Sequence, residues 1–207
     1  MLNITKILEL TENENLYIKG TLLPQISAGK DPWDDQKQAS KDLREKIRKF
    51  LETEQEGRCV FCEMALARKG KHIEHFVARH IINEYAYEPM NLFLSCPSCN
   101  SRAIKNGKGI IVEPGNNKVY EMNAFLVVHP YLHNPDDHIK YTDDKRVIFK
   151  LNACTPLGLN TIRVFKWDEK DAIKDRAEAF YSRKFAQEIQ AIVTEASVYP
   201  TQNHLNP

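Results

Sequence analysis

Between Gln36 and Glu56 the apolar residues Ala39, Leu43, Ile47, Phe50 and Leu51 recur in steps of three and four. That spacing lines one stripe of an amphipathic helix, and Gly57 is placed to stop it. Asp31-Pro32-Trp33-Asp34, just upstream, reads as the start of this helix, with acids suited to a first turn. Leu2, Ile4, Ile7, Leu8 and Leu10 are interrupted by polar residues and predict a shorter amphipathic helix at the N-terminus. A connecting stretch with Gly20, Pro24 and Gly29 follows it. Near the other end, Ala172, Ala177, Phe180, Tyr181, Phe185, Ile189 and Ile192 form the apolar face of one long helix from about Asp168 to Ala196.

The centre of the chain has a different rhythm. His72–Phe76 and Asn91–Ser95 each have short β character, with a long loop between them. Pro97 is suited to the first turn of a helix, where its missing N–H costs nothing. That helix is expected to run to Lys105 and stop at Asn106-Gly107. Strand, loop, strand and helix make a ββα unit. From 111 to 160 turn formers dominate, with short strands expected at Lys118–Glu121, Phe125–Val128 and Arg146–Leu151. The tail from 199 to 207 is expected to fray. The fold class is therefore α+β, in three stretches: an N-terminal helical region (1–57), a central core (58–110) and a C-terminal extension (111–207) packed with the core as one unit.

Composition narrows the class. The 207 residues are 42% hydrophobic and 28% charged, ordinary for a globular domain with a sizeable core. No apolar run approaches the roughly 20 residues that span a bilayer. The first ten residues lack the uninterrupted apolar core of a signal peptide, so a cytoplasmic protein without a membrane is expected. The net charge of +1 says little about partners, but residues 58–110 carry eight Lys/Arg against four acids. A basic centre of that size suits phosphate contact, as it also suits a plain solvated surface.

The most specific signal lies inside that centre. Cys59-x-x-Cys62 and Cys96-x-x-Cys99 bracket Glu74-His75 and Asn91, and Asn100 follows the last cysteine. Five cysteines are an odd number in a reducing compartment, which argues against a disulfide framework. Two CxxC pairs can wrap opposite sides of a zinc ion, and four thiolates make a closed structural site with no position left for water. A redox pair is the alternative. Cys154, outside the pattern, reads as a small buried hydrophobe.

The residues between the pairs suit phosphodiester cleavage, which needs an activated water, neutralised phosphate charge and help for the leaving oxygen. A neutral histidine can take the proton from water. A hard divalent ion held by oxygen donors can share the phosphate's charge. Glu74 and Asn100 offer such oxygens. Strand alternation, however, puts the neighbours Glu74 and His75 on opposite faces unless the strand end twists or bulges. His72 and His80 read as surface histidines, and the His129–His138 stretch as an ordinary turn, since Pro130 and Pro135 break helical spacing. Phe61 and Phe93 read as core, whereas Tyr85-Ala86-Tyr87 could be exposed toward nucleic acid or a partner.

These motifs resemble the HNH endonucleases of the ββα-metal fold in their zinc-knuckle form. The resemblance covers residues 58–108. It implies His75 as general base, Glu74 and Asn100 as ligands of a catalytic Mg2+ or Mn2+, and Asn91 as the brace that orients His75. It also implies a structural zinc on Cys59, Cys62, Cys96 and Cys99. Glu74 stands where Asp is commoner. Ile73-Glu74-His75-Phe76, Leu92 through Asn100, His129-Pro130-Tyr131, Asn134 through His138 and Leu157-Gly158-Leu159-Asn160 are similar to the PtuB effectors of Septu-type anti-phage systems. That likeness implies a PtuA-like ABC-type ATPase partner and DNA as the favoured nucleic-acid substrate. Arg79, Arg102 and Lys105 are candidate nucleic-acid contacts. A non-catalytic zinc-ribbon binding module and a stand-alone restriction-type nuclease are the alternative readings.

Overall fold

The computed structural model describes residues 1–68, 72–97, 99–100, 110, 120 and 124–198. The expected strand at Lys118–Glu121, the body of the helix beyond Asn100, Arg102, Lys105 and the tail lie outside the described residues. Helices alternate with a small antiparallel sheet, an α+β arrangement. In chain order they are α1 (Glu12–Tyr17), α2 (Gln38–Glu54), β1 (His72–His75), β2 (Leu92–Ser95), α3 (Pro135–His138), α4 (Pro156–Val164), α5 (Lys170–Lys184) and α6 (Ala186–Val198).

The expected N-terminal helix is not there. Residues 1–11 run without helix or strand, with Leu2 N–H on the Val60 carbonyl (2.8 Å) and Ile4 N–H on the Pro130 carbonyl (2.9 Å). Met1 and Ile4 are buried. The apolar spacing in this stretch serves two periods, and long-range backbone partners decided between them. Helix starts only at Thr11, which forms a reciprocal capping box with Glu14.

Helix α2 matches its expected stripe in Leu43, Ile47 and Leu51, all buried. Ala39 is exposed instead and Ser40 takes the inward position, bonded to Asp35 (2.6 Å) and Tyr17 (2.9 Å). Asp31–Asp34 is not the start of this helix. It is a separate 3₁₀ turn, Pro32–Asp34, capped by Asp31. Gly57, at φ +64°, ends the segment after α2 in a conformation that glycine adopts without strain.

The two strands pair antiparallel, His75 opposite Leu92 and Glu74 opposite Phe93. Gln55 fastens α2 to them. Its side chain is fully buried and works like a short piece of strand. Its amide donates to the Leu94 carbonyl (2.9 Å) and the Arg58 carbonyl (2.8 Å), and its oxygen accepts from Leu94 N–H (2.8 Å). A Gln55→Leu protein is expected to lose about 1–3 kcal/mol for the buried backbone groups left unpaired. Urea unfolding monitored by circular dichroism checks this.

C-terminal to the sheet, the expected strands at 125–128 and 146–151 are absent. Phe125, Val127 and Val128 are buried, but Leu126 N–H pairs with the Ile110 carbonyl and Val128 N–H with the Thr161 hydroxyl (each 2.8 Å). The second stretch keeps one bridge, Tyr141 to Phe149. The expected long helix is two, α5 and α6, divided at Phe185. Ala172 and Ala179 are buried, while Tyr181, Phe185, Ile189, Ile192 and Val193 stay exposed. One contiguous apolar cluster, drawn from residues as far apart as Met1 and Trp167, holds these elements together. No described helix is long and apolar enough to cross a membrane.

Candidate metal centre and catalytic cleft

The four cysteines of the two CxxC pairs are buried, and their sulfurs all lie within 4.8 Å of one another. The first pair sits in a tight turn, closed by Cys59 N–H on the Met64 carbonyl and Glu63 N–H on the Cys59 carbonyl (both 2.9 Å). Glu63 takes φ +63° there. The second pair follows β2, where Cys96 N–H points at the Cys59 sulfur (3.4 Å). The sulfurs of Cys62 and Cys96 are 3.8 Å apart. Such crowding sets the thiols against each other: contact with Cys59 pushes Cys62 and Cys99 above the ordinary thiol range and draws Cys96 below it. Four ionised sulfurs this close need a cation between them. The donor set and its closure fit a structural zinc. Cys154 is apart from the cluster and half-buried, accepting Lys140 N–H at 3.3 Å.

An open cleft of about 480 Å³ borders β1, lined by Asp31, Glu74, His75, Arg79, His80 and Asn100 among others. Glu74 and His75 therefore share one space although they are adjacent on a strand. The strand stops at His75, where the chain bends away, so simple alternation no longer governs where the two side chains reach. Asn100 comes from the helical turn after Pro97, its N–H on the Cys96 carbonyl (3.0 Å). Cysteine knuckle and cleft thus share one short stretch of chain.

His75 is buried, and its Nε2 lies 3.0 Å from the Ala86 carbonyl. A carbonyl only accepts, so Nε2 carries the hydrogen and Nδ1 is left as the basic nitrogen. Burial lowers the His75 pKa to about 4, opposed by the Ala86 carbonyl, so the ring is neutral near pH 7. Burial likewise raises Glu74 to about 8, with Arg79 pulling the other way. Burial of this kind favours the neutral acid, so the carboxylate form calls for a further positive charge beside it. Glu74 with Asn100 offers oxygen donors of the kind that a hard divalent ion takes.

Asn91 does not bond to His75. It is fully buried and ties down the loop between the strands: its oxygen accepts Val77 N–H (2.7 Å), and its amide donates to the carbonyls of Val77 and Tyr85 (3.1 Å each). Since Tyr85 precedes Ala86, Asn91 orients His75 only through that loop. Tyr85, Ala86 and Tyr87 are buried, so these tyrosines face neither nucleic acid nor a partner.

No protein-family model matches the chain, and no curated protein matches it. The cleft's geometry stands by itself.

Several residues that support the cleft had no sequence signal. Trp33 meets His75 edge-on, with centroids 4.6 Å apart, and packs on Tyr87. Arg44 holds that segment by donating to the carbonyls of Trp33 (2.9 Å) and Asp35 (3.0 Å). The expected turn is there, with Leu132 N–H on the His129 carbonyl (3.2 Å), but the His129 ring points into the core. It is fully buried among Phe76, Phe93 and Phe125, accepts Tyr131 N–H on Nδ1 (3.2 Å) and meets the Tyr120 hydroxyl with Nε2 (2.7 Å). Tyr120 in turn reaches the Asn91 oxygen (3.1 Å), so the C-terminal extension backs the brace. Phe61 and Phe93 are core. His72 and His80 are exposed, and His80 borders the cleft.

Proposed function

We propose that this chain is a metal-dependent HNH-type endonuclease that hydrolyses nucleic-acid phosphodiester bonds, with DNA as the favoured substrate. The observation that carries the reading is the shared cleft: a neutral, oriented histidine, a buried carboxylate and an asparagine, from β1 and the turn after β2. The buried four-cysteine cluster supports it as the staple that keeps the hairpin and the Asn100 turn together.

In this mechanism His75 Nδ1 takes the proton of the attacking water, while Nε2–H stays on the Ala86 carbonyl and keeps the ring aimed. Glu74 and Asn100 would hold Mg2+ or Mn2+. When bound, that ion supplies positive charge to the scissile phosphate and the departing oxygen. Arg79, at the cleft wall, contacts the substrate backbone. We place the nuclease as an anti-phage effector licensed by a PtuA-like ATPase, in line with the PtuB resemblance. The exposed apolar stripe from Tyr181 to Val193 is consistent with a protein partner.

The test is incubation of supercoiled plasmid with the protein, alone and with a PtuA-like ATPase, in Mg2+, in Mn2+ and without divalent ion. Nicked or linear product in either ion, and none without, is the expected result. Activity equal with and without the ATPase would point to a stand-alone nuclease. No product under any condition sinks the catalytic reading and leaves a zinc-ribbon binding module.

A further inference from the structure

One nitrogen of Arg79 is already taken by carboxylates. Its Nη1 is engaged by the Asp31 carboxylate and lies 3.3 Å from the Asp34 carboxylate. Asp31 borders the same cleft as Glu74, His75 and Asn100. A carboxylate on an arginine fork uses the same charge-assisted geometry as a phosphate oxygen. We propose that Asp31, helped by Asp34, is an acid latch that occupies Arg79 in place of a backbone phosphate of the substrate, so that nucleic acid must displace it to engage the cleft. This deepens the nuclease reading, on which it rests.

The setting favours a latch whose moving part is the arginine. Asp31 is fixed at both oxygens: Oδ1 accepts Trp33 N–H at 2.9 Å and Oδ2 meets Arg79. The turn carrying it is pinned by Arg44 on the Trp33 and Asp35 carbonyls, by the Tyr87 hydroxyl on the Pro32 carbonyl (3.3 Å), and by Trp33 against His75. Arg79 sits in the bend after β1, and its side chain is 29% exposed. Both carboxylate contacts run through one nitrogen, which blocks the end-on, two-toothed grip an arginine makes on phosphate. Arg79 is the one Lys or Arg among the described lining residues, and two carboxylates more than offset its charge. With the latch shut, the two carboxylates offset the attraction that Arg79 would offer a phosphodiester. Freed, Arg79 exerts it.

Equilibrium binding of a fluorescent DNA duplex, read by anisotropy without divalent ion, tests this apart from catalysis. Wild type, Asp31→Asn, Arg79→Gln and the double variant are compared at several salt concentrations. Asn keeps the oxygen that caps Trp33 N–H, so the turn is preserved; far-UV circular dichroism and zinc content qualify each protein. If Arg79→Gln does not fold, Arg79→Met, which keeps the apolar stem, replaces it. Asp31→Asn is expected to bind about 3–10-fold more tightly, and its salt dependence to steepen by about one phosphate contact, a slope of about 0.9. That gain vanishes in the double variant. A gain that survives removal of Arg79 means general repulsion and overturns the latch. So does no gain, or a loss, which makes Asp31 a support for Arg79, and so does the absence of binding by every variant. Because no arm requires cleavage, failure of the latch and failure of the nuclease reading are separate results.

Discussion

His75→Ala is expected to cut plasmid cleavage by about 10²–10⁴-fold, the usual worth of a positioned general base, with the zinc content unchanged. The ring is buried between Trp33 and the Ala86 carbonyl, so alanine also removes packing. His75→Gln separates the two effects, since its amide can still donate to Ala86 but has no basic nitrogen. If Gln restores stability in a thermal melt yet leaves cleavage as low as Ala does, the lost quantity is the base. Cleavage by His75→Gln within about threefold of wild type would remove His75 from the mechanism.

Loss of the metal is expected to be larger still. One zinc per chain should be found by elemental analysis, and Cys99→Ser or a strong chelator should unfold the hairpin and the turn after it. Structural zinc contributes on the order of 10–16 kcal/mol in small units, against a total stability of about 5–15 kcal/mol for a whole domain. Cys99 is the immediate neighbour of Asn100, so cleavage is expected to disappear with the fold even in excess Mg2+. A Cys99→Ser protein with wild-type melting and no zinc would refute the structural role. Cys154→Ser, outside the cluster, serves as the control and should keep its zinc.

The hairpin was legible in the sequence because it is local, and the cysteine cluster because its residue type and spacing are specific. His75 and Leu92 pair across a loop that two short stretches of β character and a following CxxC already frame, and thiolate ligation has few alternative explanations. The far wall of the cleft was not legible. Asp31 and Trp33 reach Arg79 and His75 across some forty or more positions of chain, and nothing in Asp-Pro-Trp-Asp distinguishes a wall from the first turn of a helix. The turn at His129 was legible from its prolines, but the burial of the ring was not: a histidine can be buried neutral when two neighbours satisfy its nitrogens. The first ten residues show the limit of periodicity itself. Their apolar spacing fits a helix, and partners at Val60 and Pro130 drew the backbone out instead.

A sheet of two strands ought to be an adhesive object. Each outer edge offers unpaired amides and carbonyls to any extended chain that drifts past. Here the Gln55 side chain occupies both backbone groups of Leu94, and the turn at Cys59 and Val60 takes the neighbouring places. The edge of β2 is sealed by a side chain where larger sheets would spend another strand. Along that edge the hairpin is kept from templating its own aggregation, and a glutamine at the end of a helix shares the shielding with the cysteine turn.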